Sequence, residues 1–299
     1  MSVLKNVIVI GGGGNLGPSI LSALHSSSHS FNISVLSRAS SAATFPPYVT
    51  VHKTEYSHSS LVKTLRGQDA VVSTVGGIAL SDQKKIIDAA IEAGVKRFIP
   101  SEFGSNIWDK KTLELVPVFG KKKDVVEYLR SKESDGLTWT DIITGPFFDW
   151  GLKAGFLGFD LKSNTATIFD DGNRPFSTTT IATVGTAVAN SLARPSQTAN
   201  KIVYVSSVVT TQNEVLAAYE KATGKKWQVK KESTEESAKI GGEKLAKGDL
   251  SGFINVVRAV TYGPQYAGNW EAGPGSDNEL LAIPQENVFE TVQRIVDEK

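Results

Sequence analysis

Residues 7–17 read Val7-Ile8-Val9-Ile10-Gly11-Gly12-Gly13-Gly14-Asn15-Leu16-Gly17. Four consecutive β-branched residues predict a strand buried on both faces, as the strands of parallel sheets are. Pro18, a residue favoured in the first turn of a helix, follows the glycines and opens a predicted helix over Pro18 to His25. A diphosphate laid at such a turn needs backbone N–H donors brought close, at the positive end of a helix, and side chains would bar its approach. Gly11, Gly14 and Gly17 give GxxGxxG, and Gly12, Gly14 and Gly17 also fit GxGxxG. Gly11, Gly14, Asn15, Leu16 and Gly17 are therefore expected to hold a dinucleotide. A tight turn without a ligand is the plain alternative, and the strand–turn–helix context speaks against it.

Outward from this turn the pattern alternates. Strands are predicted at Ile33 to Leu36, Ala70 to Val75, Arg97 to Pro100 and Trp139 to Thr144. Helices are predicted at Leu61 to Arg66, Asp82 to Ala93 (stopped by Gly94) and Phe119 to Ser131. Apolar strands alternating with helices predict an α/β fold, a doubly wound parallel-sheet Rossmann domain over residues 1–150. Residues 151–299 read as a smaller C-terminal α/β substrate region, with 168–207 returning to the Rossmann sheet. There a strand is expected at Lys201 to Val205, and helices at Gln212 to Ala222, Ser233 to Lys247, Leu250 to Tyr262 and Pro284 to Glu298. The Gly- and Pro-rich stretch from Tyr262 to Pro284 reads as loop.

Composition narrows the function. Among 299 residues, Lys+Arg total 32 and Asp+Glu 31, a net charge of +1 that gives no support for nucleic-acid binding. With no cysteine, disulfides, thiolate nucleophiles and Cys-ligated metals are excluded. No apolar run reaches the roughly 18–20 residues a membrane helix needs. Met1 to Ile10 lacks the apolar core and cleavage site of a signal peptide, so the expected location is cytoplasmic and the sequon at Asn32 is chance. His25 and His29, four apart in serine-rich sequence, have no carboxylate partner nearby, and no metal site is expected. Asp170-Asp171-Gly172-Asn173 lacks the downstream Glu of a calcium loop and reads as a turn between strands.

The end of the second strand discriminates the cofactor. Chains that bind NAD tend to carry Asp or Glu about 20 residues past the glycines, on the ribose hydroxyls. Here Ser37 and Arg38 stand in that place. A carboxylate repels a 2′-phosphate and a guanidinium attracts it, so the sequence favours NADP(H). A solvated loop arginine is the alternative. Ligands of doubly wound folds lie beyond the carboxyl ends of the strands, which brings in Thr74, Val75 and Gly76, then Ser101, Glu102 and Phe103 near the nicotinamide. Phe103 serves there as a wall for the ring or as ordinary core.

Several stretches together resemble one family: VIGGGGNLG (Val9 to Gly17), VLSR (Val35 to Arg38), VVSTVGG (Val71 to Gly77), IIDAAIEAGVKRFIPSEFG (Ile86 to Gly104), GKKKDVVEYL (Gly120 to Leu129), ITGPFFDW (Ile143 to Trp150) and TQNEVLAAYEKATGKKW (Thr211 to Trp227). The chain resembles the isoflavone reductase-like, NmrA-like branch of the atypical short-chain dehydrogenases. The family loop often reads GGTGxxG, and Gly13 stands in place of the threonine. Ordinary short-chain dehydrogenases use Tyr-x-x-x-Lys; the one formal match, Tyr128 to Lys132, falls at the wrong end of its helix, with Tyr128 on the packed stripe. At the start of that helix stand Lys121, Lys122 and Lys123, with Val118 in the tyrosine's place. By spacing alone the lysines read as a solvated face. The resemblance implies Lys122, three residues before the aliphatic Val125, as the catalytic, ribose-anchoring and proton-handling residue, with Lys121 as fallback.

The resemblance further implies an NADPH-dependent reductase of a small aromatic, phenolic or enone-type metabolite. The missing tyrosine favours acceptors whose own electrons stabilise the reduced product as phenolate or enolate. Phe147, Phe148 and Trp150 are expected to wall the substrate, with Phe156, Phe159, Tyr262, Tyr266 and Trp270 completing the wall or forming core. The rival is a non-catalytic, NADP(H)-sensing regulator that binds a protein partner; an epimerase or lyase on the same fold is a third option.

Overall fold

The computed structural model describes residues 3–264 and 268–298; Tyr266 lies outside them. In chain order the elements are β1 (Asn6–Ile10), α1 (Gly17–Ser26), β2 (Asn32–Arg38), β3 (Thr50–Thr54), α2 (His58–Leu65), β4 (Ala70–Ser73), α3 (Gln83–Ala93) and β5 (Arg97–Ile99). There follow α4 (Lys110–Leu115), α5 (Gly120–Ser131), β6 (Thr138–Ile143), α6 (Phe148–Lys153), β7 (Phe159–Asp160), β8 (Thr165–Phe169), β9 (Phe176–Thr178) and α7 (Ile181–Ala193). The remainder is α8 (Pro195–Thr198), β10 (Lys201–Tyr204), β11 (Val208–Thr210), α9 (Gln212–Thr223), β12 (Gln228–Glu232), α10 (Thr234–Ala246), α11 (Gly252–Tyr262), α12 (Asn278–Leu281) and α13 (Val288–Asp297).

The chain divides into two compact units that interleave along the sequence. The first comprises 1–103, 121–143 and 182–203; the second comprises 104–120, 144–181 and 204–299. Where the sequence reading divides the chain at residue 150, the packing sends 104–120 and 144–150 to the second unit. Of the stretch 168–207, residues 182–203 return to the first.

The first unit is built on a seven-stranded sheet of order β10-β6-β5-β4-β1-β2-β3. The pairs β1–β2, β1–β4, β2–β3, β4–β5 and β5–β6 run parallel. Strands leave β1 in both directions, so the gap between the carboxyl ends of β1 and β4 is the switch point at which doubly wound folds bind ligands. The strands are apolar because helices cover them: Val7 to Ile10 and Ala70 to Val72 are fully buried. Arg97 is buried in β5 and is held by hydroxyls, donating to Thr138 at 2.8 Å, Thr140 at 2.8 Å and Thr198 at 3.0 Å and to the Pro195 carbonyl at 2.7 Å. Burial lowers its pKa to about 10.

The second unit has its own core. β12 and β8 run parallel and β7 joins them antiparallel; β11 and β9 form a separate antiparallel pair. Phe148, Phe159, Phe176, Tyr219, Trp227 and Tyr262 pack into one cluster with aliphatic neighbours. α9 opens with a capping box between Thr211 and Glu214. The expected loop from 262 to 284 contains α12 and a helical turn at Trp270–Ala272. α13 starts at Val288, not at Pro284, because the Asn287 side chain caps it. Asp170 to Asn173 do form a turn, between β8 and β9, and the Asp170 carboxylate accepts from Thr234 N at 3.0 Å and Oγ1 at 2.7 Å.

Candidate active site

The glycine turn meets the steric demands of a nucleotide cradle. Gly11 has φ +84°, and a Cβ there would lie 2.6 Å from Thr74 Oγ1. A Cβ on Gly17 would lie 2.2 Å from the Gly12 carbonyl oxygen, so only glycine lets α1 approach the turn this closely. The Gly14 N–H closes the turn on the Gly11 carbonyl at 2.9 Å. Gly13, Gly14 and Asn15 form its exposed crest, while Leu16 is buried beneath. Leu16 is also the N-cap of α1, and no side chain caps that helix, so its first N–H groups are presented to an incoming anion.

Ser37 and Arg38 end β2, the serine buried and the arginine exposed. The Arg38 carbonyl accepts from Ser41 N at 3.0 Å, closing a turn. The charge of Arg38 favours ionisation of the Tyr56 hydroxyl, but burial outweighs it and pushes that group up to about 12. Lys53, which the sequence reading passed over together with its strand β3, donates to the Ser41 carbonyl at 2.5 Å and adds an ammonium to the Arg38 turn. A 2′-phosphate is the group such a pair of cations suits.

The expected strand over Ala70 to Val75 ends at Ser73, which leaves Thr74, Val75 and Gly76 as loop beyond the sheet. Thr74 N and Oγ1 donate to the Ile10 carbonyl at 2.8 and 2.9 Å, tying the two carboxyl ends of the switch point together. The Ser101 hydroxyl donates to the Val75 carbonyl at 2.6 Å, and its N–H donates to Gln83 Oε1 at 2.8 Å. Ser101 thus links the loops after β4 and β5. Phe103 is buried with φ +41°, its N–H on the Ile142 carbonyl at 3.2 Å.

Among the three lysines at the start of α5 the structure separates Lys122. Lys122 shares one helix face with Val125, Val126 and Leu129 (spacings i+3, i+4 and i+7), and those three are buried. Its side chain is 17% exposed, whereas Lys121 is exposed. Lys122 Nζ donates to the Glu102 carbonyl oxygen at 2.5 Å and lies 3.6 Å from Glu102 Oε1. The Glu102 side chain is 1% exposed. Burial pushes its carboxyl up to about 8; the ammonium of Lys122 pulls it down, and Asp141 on β6 pushes it up further. Asp141 is itself buried. It escaped the sequence reading, although a carboxylate in the middle of the predicted buried strand Trp139-Thr140-Asp141-Ile142-Ile143 is costly to bury and is visible in the sequence. Tyr128, the formal tyrosine, donates instead to Asp88 Oδ1 at 2.5 Å.

In the second unit the expected substrate residues part company. Phe148, on α6, is fully buried and belongs to the core cluster that also holds Leu152 and Phe176. Phe159 and Tyr262 likewise belong to that core, and Trp270 is buried against Tyr204 with ring centroids 6.0 Å apart. Phe147 and Trp150 keep part of their surface exposed, Trp150 beside Phe156 with centroids 5.7 Å apart. Among the described residues no helix is long and apolar enough to cross a membrane, and no three His, Cys, Asp or Glu side chains gather as a metal site.

The sequence profile of the NmrA-like family matches residues 4–247. The oxidoreductase aprR of Aspergillus flavus is 43% identical over 97% of this chain and 98% of its own length. An isoflavone reductase of Cicer arietinum is 32% identical over 81% of this chain and 75% of its own. Among solved structures, one described as AtPrR2 with NADP+ and (+)pinoresinol superposes with a TM-score of 0.80 at 22% identity, covering 99% of this chain and all of that one.

Proposed function

The chain belongs to the NmrA-like family, on its isoflavone reductase-like side, and from that premise we propose that it is an NADPH-dependent reductase of a small aromatic, phenolic or enone-type metabolite, working in the cytoplasm. The carrying observation is Lys122. Its ammonium is drawn inside at the carboxyl end of β5, while its neighbour Lys121 stays in solvent. A lysine kept for solubility has no reason to lie on a buried stripe.

The glycine turn and the uncapped end of α1 would hold the diphosphate, and Arg38 with Lys53 the 2′-phosphate. Thr74, Val75, Gly76, Ser101 and Phe103 would border the nicotinamide. The bound cofactor supplies a hydride. Lys122 anchors the nicotinamide ribose and gives a proton to the oxygen on which charge develops, the part a tyrosine plays in ordinary short-chain dehydrogenases. We assign Phe147 and Trp150 to contact with an aromatic substrate. The relatives named isoflavone reductase and oxidoreductase, and the NADP+ and pinoresinol of the superposed structure, support this reading.

The test is a panel of an isoflavone, pinoresinol and a phenolic enone offered to the purified protein with NADPH, followed by loss of NADPH absorbance and by product analysis. Reduction of a panel compound is expected. Tight NADPH binding without reduction of any of them would turn the assignment to the non-catalytic regulator.

A further inference from the structure

Glu102 lies in the loop after β5 with both carboxyl oxygens sealed from solvent, and among the described residues neither has a hydrogen-bond donor within range. The nearest cation, Lys122 Nζ, stands 3.6 Å from Oε1, just outside hydrogen-bond range. The charged groups that act on it are Lys122 from α5 and Asp141 from β6. An ionised Glu102 would place its charge in the interior beside a second buried carboxyl, that of Asp141. A proton kept on Glu102 avoids that repulsion and the cost of burying the charge.

We propose that Glu102 is a positioning residue for Lys122 and holds the proton that restores the Lys122 ammonium after it has protonated the reduced product. The inference rests on the assignment of Lys122 above. Glu102 is the carboxyl that keeps the proton, since burial and Asp141 disfavour its charged form by more than Lys122 favours it. Once Lys122 has given an N–H proton to the product oxygen, it is a neutral amine. The O–H bond of Glu102 then breaks and an N–H bond forms on Nζ; between turnovers the ammonium returns a proton to the sealed carboxylate, and Nζ, on a side chain 17% exposed, takes its replacement from water. No electrons change hands in this step. Removing the bond to the Glu102 carbonyl would free Nζ to swing over the short gap to Oε1. The PSEFG segment thus supplies both ends of the device: a backbone carbonyl that fixes the lysine and a side chain that recharges it.

The experiment is carbon NMR of the full-length protein carrying glutamate labelled at the side-chain carboxyl carbon, titrated with NADP+ bound. One resonance is expected to titrate with a midpoint near 8, the exposed glutamates near their ordinary value of about 4.3. That resonance should be missing from Glu102→Gln, move up in Lys122→Met, which removes the attracting ammonium, and move down in Asp141→Asn, which removes the repelling carboxyl. In turnover of the panel compound reduced, kcat should fall along an alkaline limb with the same midpoint. Glu102→Gln should lower kcat about tenfold or more and erase that limb, and Glu102→Asp should restore it in part. The proposal is overturned if no glutamate titrates above the ordinary carboxylate range, or if Glu102→Gln keeps both the wild-type kcat and the limb. Should Glu102→Gln fail to fold, the wild-type titration and its shift in Lys122→Met still decide. If Lys122→Met keeps full turnover while the high-midpoint resonance persists, the Lys122 assignment falls and the relay with it, whereas a proton on Glu102 stands.

Discussion

Arg38 and Lys122 carry most of the chemistry assigned to single side chains, and each makes a separable prediction. A guanidinium on a 2′-phosphate forms a charge-assisted hydrogen bond worth roughly 1.5–3 kcal/mol, or about 10- to 150-fold in affinity. Arg38→Ala should weaken NADPH by that factor and leave NADH almost unchanged, measured by quenching of protein fluorescence. An equal loss for both nucleotides would remove Arg38 from the phosphate. Lys122→Ala should lower kcat by about 100- to 10,000-fold, the usual scale for a lost proton donor. Steady-state kinetics at saturating NADPH would measure it, and unimpaired kcat would exclude the role. At this scale the sequence was partly legible. Arg38 stands where a carboxylate would in NAD-binding chains, and its meaning needs no coordinates. Lys122 was reached through the family pattern alone, since by spacing three adjacent lysines read as a solvated face; what the structure adds is that Val125, Val126 and Leu129, on the same helix face, are buried. Asp141 was hidden by its neighbours, whose apolar character made the strand easy to find and its one acid easy to pass over.

At the scale of elements, the contact between α1 and the glycine turn is the most constrained joint. Gly17→Ala places a methyl 2.2 Å from the Gly12 carbonyl oxygen, backbone that has no rotamer with which to yield. A cost of about 1–3 kcal/mol is expected, seen as an earlier urea midpoint, with NADPH affinity falling as well. A variant with wild-type stability would show that the turn relaxes freely. Parallel strands were legible because both faces are buried and the residues run apolar without a break. β3 was not: Thr50-Val51-His52-Lys53-Thr54 lies at the sheet edge, mostly polar and with Val51 exposed. α7 was missed for the opposite reason. Ile181 to Ala193 is rich in small and β-branched residues and bears no charge, so it lacks the polar stripe by which an amphipathic helix is known. Its burial is what makes that composition stable.

For the whole molecule, Glu102 couples folding to pH. Its carboxyl is raised in the folded state, to about 8 from an ordinary 4.5, so between those values the folded protein binds more protons than the unfolded chain. Stability from this group is present below the lower value and is lost as pH rises through the higher one. The melting temperature of wild type should therefore decline relative to Glu102→Gln between about pH 5 and pH 8, as differential scanning calorimetry would record. A constant difference between the two across that range would show that the carboxyl ionises as readily in the fold as in water.

The interleaving of the two units carries a consequence for inheritance. The polypeptide passes from one to the other after residues 103, 120, 143, 181 and 203, so no single cut in the gene yields either. A fragment of residues 1–150 lacks α7 and β10, which belong to the nucleotide unit, and is expected to remain without a cooperative thermal transition; a sharp one would contradict the division. Recombination that shuffles contiguous exons has no purchase on such a chain. Change in a protein wired this way is expected to come by point substitution, under the constraint that each one spares a partner threaded through the same strand of text.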